Sequence, residues 1–330
     1  MKIAILGAGA WGTALAISQS GKHDVRLWVR DAAQVASMRG QRENSRYLAG
    51  FVLSERIHIT AVLEEAINAV DLILCAVPVS GLRELFGSLA QAPGQAPIIW
   101  GSKGLEVRTG RFVHEIILEI FSDPIRPYGV LSGPSFSEEV ARGLPTAITL
   151  ASPFAQVRFA VAKALHHKQL RVYSSPDVVG VEIGGAVKNV LAIAAGIADG
   201  LALGHNARAA MMTRGLAEMA RLSSALGGRA GTMMGLAGVG DLILTCTGDL
   251  SRNRRVGLML AQGMQLGNIL SALGHVAEGV PTAWEVQKLA HAHHVDMPIV
   301  DAVVCVLDGS LTPKAAVQSL LEREPREELS

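Results

Sequence analysis

The chain has 330 residues, of which 49% are hydrophobic, and its 30 lysines and arginines nearly balance its 29 aspartates and glutamates. This length and composition exclude a disordered chain and are sufficient for two hydrophobic cores. A formal net charge of +1 excludes the broad basic field that drives non-specific nucleic-acid binding. We therefore expect no nucleic-acid partner and only local anion recognition.

Short apolar runs alternate with helical patterns through about residue 175. Eight runs predict strands at residues 2–6, 25–29, 57–60, 71–77, 97–101, 128–132, 146–151 and 170–174. The intervening patterns predict helices at residues 11–20, 81–90, 112–120 and 154–166. Because these runs are apolar on both faces and are separated by helices, they predict an α/β, Rossmann-like domain with a mostly parallel, doubly wound sheet.

The pattern changes after Ser175 and Pro176, which suit the N-cap and the first position of a helix. Beyond them no clear strand run follows, and Ala, Gly, Met and Leu recur at helical spacing. The sequence therefore predicts a dinucleotide-binding domain over residues 1–177 and an all-α substrate and catalytic domain over residues 178–330. The apolar helices of this second domain are compatible with a homodimer.

The three cysteines, Cys75, Cys246 and Cys305, show no C-x-x-C spacing, and the N-terminal residues form a strand pattern without a basic region and cleavage site. These features indicate a reducing, cytoplasmic location. The longest mostly uncharged stretch, residues 189–198, is too short for a bilayer span and predicts a buried helix.

The first strand leads directly into Gly7-Ala8-Gly9-Ala10-Trp11-Gly12, which fits G-x-G-x-x-G. In a strand–turn–helix setting Gly7 permits the tight turn, Gly9 lets the backbone approach a pyrophosphate, and Gly12 permits close packing of helix on strand. This location predicts a dinucleotide site.

The end of the second strand decides which dinucleotide is read, and here it carries Arg30 and then Asp31. A guanidinium suits a 2′-phosphate, so NADPH is favoured over NADH. In the alternative, Arg30 is a surface arginine and Asp31 accepts hydrogen bonds from the ribose.

Two lysines are candidates for the chemistry. Lys103 follows the strand at 97–101 and either projects its cation toward the nicotinamide or is a solvated loop residue. Lys188 lies in a helical pattern among small and apolar neighbours, so it either extends to water or stays partly desolvated. Desolvation beside a second cation would bring its pKa toward neutral pH and suit it to proton transfer.

The segment 235–257 joins a Gly-rich loop containing Asp241 to the cluster Ser251-Arg252-Asn253. Ser251 is a suitable N-cap for a helix that begins at Arg252, so backbone N–H groups, the guanidinium and the Asn253 amide could converge on a phosphate. The alternative is a solvated basic helix start, which accounts for Arg254 and Arg255 but not for the adjoining glycines.

The segments GAGAWG, GSKG, LSGPSF, VEIGGAVKN, GLAGVGDLILTCTGDLSRNRRVG and AEG occur in this order. With them the chain resembles, from end to end, the NAD(P)-dependent sn-glycerol-3-phosphate dehydrogenases of the bacterial type. The resemblance implies reversible reduction of dihydroxyacetone phosphate to sn-glycerol 3-phosphate with NADPH or NADH, which would feed glycerophospholipid synthesis. No grouping of His, Cys and carboxylate residues has metal-ligand spacing, so we expect no metal.

The resemblance also implies site residues. Coenzyme contacts fall on Gly7, Gly9, Ala10, Trp11, Gly12, Arg30, Lys103, Ser137, Arg252, Val276 and Glu278. Substrate contacts fall on Lys103, Gly133, Ser135, Lys188, Asp241, Ser251, Arg252 and Asn253. Lys188 is implied as proton donor and acceptor, with the other catalytic positions at Lys103, Asp241, Asn189 and Thr245. Ala10 departs from the serine common in this motif, which affects one polar contact.

Two alternatives compete with this interpretation. One is another two-domain dehydrogenase, acting on a 3-hydroxyacid or on 6-phosphogluconate, although the cluster Ser251-Arg252-Asn253 argues against a simple carboxylate substrate. The other is a non-catalytic NADPH-binding regulator, against which the presence of both Lys103 and Lys188 argues.

Overall fold

The computed structural model describes residues 1–122, 125–273, 277–324 and 327. The chain forms two compact units: the first comprises residues 1–102 and 112–178, and the second comprises residues 103–111 and 179–330. The domain limits at 177 and 178 remain a prediction. In the structure the segment 103–111, which includes Lys103, clusters with the second unit.

The described part of the first unit contains ten short strands. They are β1 (Lys2–Leu6), β2 (Asp24–Trp28), β3 (Glu43–Asn44), β4 (Leu48–Val52), β5 (Ile57–Thr60), β6 (Leu72–Cys75), β7 (Ile98–Trp100), β8 (Tyr128–Ser132), β9 (Thr146–Ala151) and β10 (Leu170–Ser175). All eight predicted strands are confirmed. The antiparallel pair β3–β4 was not predicted, because residues 43–52 are mostly polar or small and lack a clear alternation.

Eight of these strands form one sheet in the order β10-β9-β8-β7-β6-β1-β2-β5. Every neighbouring pair is parallel except β8 and β9. The chain leaves β1 toward β2 on one side and returns to β6 on the other, so right-handed crossovers place helices on both faces of the sheet. The predicted fold class is confirmed.

Seven α-helices, and a 3-10 turn at Val79–Gly81, connect these strands in the described part of the first unit. They are α1 (Ala10–Ser20), α2 (Ala32–Gln41), α3 (Leu63–Ile67), α4 (Leu82–Gln91), α5 (Val113–Ile120), α6 (Ser137–Ala141) and α7 (Ala155–Leu165). The four predicted helices are confirmed to within one residue at each end. The central strand β1 explains the apolar runs, because Ile3, Ala4, Ile5 and Leu6 are all fully buried between the helical layers.

Beyond β10 the described residues form helices joined by loops and contain no strand. Its α-helices are α8 (Val178–Gly200), α9 (Gly204–Ala225), α10 (Asp241–Thr247), α11 (Arg252–Ala261), α12 (Leu266–Leu273), α13 (Gly279–Ala292), α14 (Pro298–Leu307) and α15 (Pro313–Leu321). The helix start predicted at Pro176 was wrong by two residues. Ser175 ends β10, and its hydroxyl accepts a hydrogen bond from the Asp177 N–H at 3.1 Å instead of capping α8.

Helix α8 is the core of the second unit. By length and composition it could span a membrane, but 89% of its most apolar window is buried inside the protein, as in the core helix of a folded domain. Its glycines permit a close crossing with α11. A Cβ on Gly196 would lie 2.0 Å from the Arg254 carbonyl oxygen, and one on Gly257 would lie 2.0 Å from that of Ile193. The two backbones therefore touch where α11 begins.

Candidate active site

The Gly-rich turn of the first unit has the geometry that its motif predicts. Gly7 has a φ of +115°, its N–H donates to the Trp28 carbonyl oxygen at 3.1 Å, and a Cβ on it would lie 2.9 Å from the Ala76 backbone. A Cβ on Gly12 would lie 1.9 Å from the Gly7 carbonyl oxygen, so α1 packs tightly on the turn. By contrast, the space above Gly9 is open to at least 4 Å. An anion such as a pyrophosphate fits there, at the N-terminus of α1.

Other predicted contacts of this unit lie in α1, in the loop after β8 and at the start of α6. The Trp11 indole lies against Gly101, where a Cβ would be 2.7 Å from Nε1, so only glycine leaves room for this ring. Gly133 has a φ of +134°, and the Ser135 hydroxyl donates to its carbonyl oxygen at 2.9 Å. Ser137 is the first residue of α6.

The two candidates for reading the coenzyme ribose occupy different environments. Arg30 is exposed just beyond β2. Asp31 caps α2, since its Oδ1 accepts the Ala33 N–H at 2.9 Å, and its Oδ2 lies 3.7 Å from the Arg46 guanidinium. Arg30 and Asp31 are therefore both accessible at the end of β2, as each alternative requires.

In the second unit, one carboxylate holds two lysines. The Lys188 ammonium donates to Asp241 Oδ1 at 2.5 Å and to the Thr245 hydroxyl at 2.7 Å, and the Lys103 ammonium donates to Asp241 Oδ2 at 2.5 Å. Lys188 is 6% exposed and Asp241 is 1% exposed. The side chain of Lys188 is thus desolvated and does not extend to water, and Lys103 is not a solvated loop lysine. We call this group of four the lysine–aspartate cluster.

The Gly-rich segment before Asp241 explains how the cluster forms. A Cβ on Gly184 of α8 would lie 2.3 Å from the Ala237 carbonyl oxygen, and one on Gly238 would lie 2.2 Å from that of Met233. A single π-helical turn over Leu236–Gly240 then delivers Asp241 as the first residue of α10. These small residues therefore bring backbone against backbone, which places Asp241 beside the helix that carries Lys188.

The electrostatics of the cluster favour proton transfer. Burial lowers the pKa of Lys188 to about 8, an effect that Asp241 opposes and Lys103 reinforces. Burial alone would raise the pKa of Asp241, but the ammonium groups of Lys103 and Lys188 hold it below its usual value. A permanently charged carboxylate thus holds a lysine that can lose and regain a proton near neutral pH.

The predicted helix start at Arg252 is confirmed. The Ser251 hydroxyl accepts the Arg254 N–H at 3.2 Å, as an N-cap does, and the Arg252 side chain is exposed. The alternative of a solvated basic helix start does not hold for Arg254. Its guanidinium donates to Asp199 at 2.8 Å and to Asp249 at 3.0 Å, which ties the start of α11 to the end of α8.

Asn253 and Asn189 bind each other inside the second unit. The Asn253 amide donates to Asn189 Oδ1 at 3.0 Å, and its own Oδ1 accepts the Gly279 N–H at 3.0 Å. The acceptor and one N–H of the Asn253 side chain are therefore used to join α8, α11 and α13. Among the described residues, its other side-chain N–H and its backbone N–H have no such partner and can bind a phosphate.

Glu278 is the N-cap residue of α13. Burial raises the pKa of its carboxyl, and the nearby cations of Arg252, Lys103 and Lys188 oppose this shift. The predicted coenzyme contact Val276 lies outside the described residues. Glu278 therefore shares an electrostatic environment with the lysine–aspartate cluster and with Arg252.

Sequence reasoning missed two residues that support these groups. Asn44 of β3 is buried, and its amide donates to the Ala8 carbonyl oxygen at 2.8 Å and to the Thr13 hydroxyl at 2.7 Å, so it fixes the Gly-rich turn. Asp199 pairs with Arg254 at 2.8 Å and with Arg208 at 3.1 Å. No spacing rule identifies such partners, because each contact joins residues far apart in the sequence.

A glycine-lined turn at the carboxyl edge of a parallel sheet is typical of dinucleotide binding. A desolvated lysine beside a charged carboxylate suits the transfer of a proton to the oxygen of a carbonyl group that is being reduced. Their combination in one chain is typical of two-domain, dinucleotide-dependent dehydrogenases.

Comparison with known proteins identifies the family within this class. Models of the NAD-dependent glycerol-3-phosphate dehydrogenase N-terminus and C-terminus match residues 2–158 and 177–318. The chain therefore belongs to the family of NAD-dependent glycerol-3-phosphate dehydrogenases, which are NAD(P)-dependent oxidoreductases.

Individual relatives match over their whole lengths. Two relatives carry the name glycerol-3-phosphate dehydrogenase [NAD(P)+]. The one from Aromatoleum aromaticum is 56% identical over 99% of this chain, and the one from Nitrosospira multiformis is 53% identical over 100% of it. Both alignments span 100% of the relative. The crystal structure of glycerol-3-phosphate dehydrogenase from Coxiella burnetii is 43% identical, with a TM-score of 0.92, over 98% of this chain and 99% of that one.

Proposed function

We propose that the chain catalyses the reversible reduction of dihydroxyacetone phosphate to sn-glycerol 3-phosphate, with NADPH as the preferred coenzyme and NADH as the alternative. The observation that carries this proposal is the buried lysine–aspartate cluster, in which Lys188 has a pKa of about 8. The names of the relatives, each a glycerol-3-phosphate dehydrogenase that uses NAD(P)+, supply the substrate and the coenzyme.

The coenzyme site is proposed on the Gly-rich turn. The open space above Gly9 and the N-terminus of α1 fit a pyrophosphate. The remaining proposed contacts are Gly7, Ala10, Trp11, Gly12, Arg30, Lys103, Ser137, Arg252, Val276 and Glu278. When bound, the reduced nicotinamide supplies the hydride for the carbonyl carbon of the substrate.

The lysine–aspartate cluster would manage the proton and the developing charge. As the carbonyl oxygen gains negative charge, the Lys188 ammonium donates its proton to that oxygen and becomes a neutral amine. Lys103 stabilises the same negative charge, while Asp241 and Thr245 hold Lys188 in position through hydrogen bonds of 2.5 and 2.7 Å. In the reverse direction, neutral Lys188 accepts the proton of the substrate hydroxyl.

The phosphate of the substrate is assigned to the start of α11. The first turn of this helix presents N–H groups and the positive end of the helix dipole, and Arg252 adds an exposed guanidinium beside the Ser251 cap. The pairs Asn189–Asn253 and Asp199–Arg254 hold this turn against α8, which carries Lys188. Gly133 and Ser135 complete the proposed substrate contacts. Binding the phosphate away from the carbonyl would restrict the substrate to a reactive orientation.

The test is oxidation of NADPH, followed at 340 nm, by the purified full chain. We expect rapid oxidation of NADPH with dihydroxyacetone phosphate and none with 3-oxoacids. Without substrate, NADPH should stay reduced. A dehydrogenase for 3-hydroxyacids would show the opposite preference, and one for 6-phosphogluconate would oxidise NADPH with neither substrate but would reduce NADP+ when given 6-phosphogluconate. A non-catalytic regulator would bind NADPH and oxidise none of it.

We further propose a cytoplasmic homodimer whose product enters glycerophospholipid synthesis. The reducing location rests on cysteines without C-x-x-C spacing, and the structure forms no disulfide among them. The homodimer rests on the apolar character of the C-terminal helices, and the metabolic role rests on the family.

A further inference from the structure

A cavity of about 200 Å³ lies in the first unit beside α2. Its walls come from α2 and from the turn that follows Asn44, and they include Asp31, Gln34 and Arg46. The cavity therefore carries one carboxylate, one guanidinium and two side-chain amides, so it suits a polar or charged group.

Hydrogen bonds connect this cavity to the Gly-rich turn. Asn44 donates to the Ala8 carbonyl oxygen at 2.8 Å, and Gln34 donates to Asn44 Oδ1 at 3.2 Å. Asp31 follows β2, the strand next to β1 in the sheet. In dinucleotide-binding sheets the ribose of the adenosine half lies at the end of this second strand, which is the position of the cavity.

The two charged side chains of the cavity lie near each other but do not form a tight pair. Asp31 Oδ2 and Arg46 Nη1 are 3.7 Å apart, and their side chains are 52% and 61% exposed. The Asp31 carboxylate is also held at the N-terminus of α2, because its Oδ1 accepts the Ala33 N–H at 2.9 Å. Among the described residues, the side chain of Arg46 makes one further contact besides that with Asp31, a cation–π contact with Tyr47 at 5.1 Å from the ring centroid. The guanidinium can therefore turn toward a ligand while the carboxylate stays in place.

We propose that Asp31 and Arg46 together determine coenzyme specificity and allow one ribose site to accept both NADPH and NADH. Arg46 binds the 2′-phosphate of NADPH and offsets the repulsion from Asp31. With NADH, Asp31 accepts a hydrogen bond from the free ribose hydroxyl while Arg46 stays beside it. If Arg30 alone bound the 2′-phosphate, as the sequence suggests, the negative charge of Asp31 would still repel that phosphate. This inference rests on the coenzyme site of the proposed function.

The test compares kcat/KM for NADPH and for NADH in two variants. In Arg46→Gln the value for NADPH falls by about tenfold or more, as expected for loss of one charge-assisted hydrogen bond, and the value for NADH stays the same or rises. In Asp31→Asn the cap on α2 is retained, because asparagine caps as well as aspartate. This variant loses activity with NADH and keeps or gains activity with NADPH.

Arg171→Gln serves as the matched control, because it removes an exposed arginine from β10, at the edge of the sheet opposite to β5 and β2. It should leave the ratio of the two coenzymes unchanged. The proposal is overturned if Arg46→Gln also leaves the ratio unchanged, or if Arg30→Gln alone abolishes the preference for NADPH.

A binding measurement separates this inference from the proposed function. Calorimetry with 2′,5′-ADP and with 5′-ADP reports the 2′-phosphate contribution without any turnover. Weaker binding of 2′,5′-ADP alone in Arg46→Gln supports the pair even if dihydroxyacetone phosphate proves not to be a substrate. Equal weakening of both nucleotides, or of neither, contradicts it.

Discussion

Asp241→Asn tests the electrostatic role of the lysine–aspartate cluster. The substitution preserves the shape of the side chain but removes the charge that holds two ammonium groups at 2.5 Å each. One amide oxygen can accept from only one of them favourably, and the amide N–H2 faces the other. The variant therefore isolates charge from packing.

Coulomb's law, taken at a separation larger than the 2.5 Å hydrogen bonds of the cluster, gives a conservative magnitude. At about 4 Å and an effective dielectric constant of about 20, a carboxylate stabilises an ammonium by roughly 4 kcal/mol. Loss of this interaction lowers the pKa of Lys188 well below its present value of about 8. At pH 7 the ammonium fraction, and with it the rate of carbonyl reduction, should fall by about a hundredfold.

The assay is the pH dependence of kcat for reduction, from pH 5 to pH 9. In the wild type the rate falls as pH rises through the pKa of Lys188, because the proton donor is lost. In Asp241→Asn this fall moves to lower pH, so part of the activity returns in acid. Asp24→Asn is the control, since Asp24 is an exposed residue at the start of β2 in the first unit. A profile for Asp241→Asn that superimposes on the wild type would refute the reasoning.

Three further predictions concern substrate binding, packing and pH. Arg252→Gln should raise KM for dihydroxyacetone phosphate about tenfold, because a charged contact with the phosphate is lost. The control Arg255→Gln, which changes an exposed neighbour, should leave KM unchanged. Gly196→Ala should destabilise the protein by about 3 kcal/mol in thermal unfolding, because the new Cβ would lie 2.0 Å from the Arg254 carbonyl oxygen. The control Gly87→Ala, which has open space around it, should be neutral or stabilising. Glu218→Gln should flatten the pH dependence of stability between about pH 4.5 and 7.

The sign of the last prediction follows from the burial of Glu218. Burial raises the pKa of this carboxyl from 4.5 to about 7, although the N–H groups of Ile299 and Val300 oppose the shift. Between these values the folded protein binds a proton that the unfolded chain releases, so stability falls as pH rises through the window. Unchanged pH dependence in Glu218→Gln, measured against the exposed control Glu84→Gln, would contradict this account.

The regular parts of the fold could be predicted from the sequence. Strands such as β1 are buried on both faces and therefore appear as continuous apolar runs, and the longer helices between them keep a clear spacing. The helices α2, α3 and α6 and the pair β3–β4 could not be predicted in this way. They are short or rich in small and polar residues, and tertiary contacts support them, as those of Asn44 with Ala8 and Thr13 do for β3.

The candidate site could be predicted only in part. The cap at Ser251 and the glycines of the first turn follow from local rules that act over a few residues. The environment of Lys188 does not, because the same helical pattern suits a solvated and a buried lysine. Burial is decided by the close approach of Gly184 to Ala237, which brings Asp241 to the lysine from a distant part of the chain.

The most direct test of the central claim, that Lys188 transfers the proton, is the turnover of Lys188→Ala measured together with its dissociation constant for NADPH. We predict that kcat falls by about a hundredfold to ten-thousandfold, while the affinity for NADPH stays within about threefold of the wild type. The exposed control Lys314→Ala should change neither quantity. Wild-type turnover in Lys188→Ala would contradict the claim.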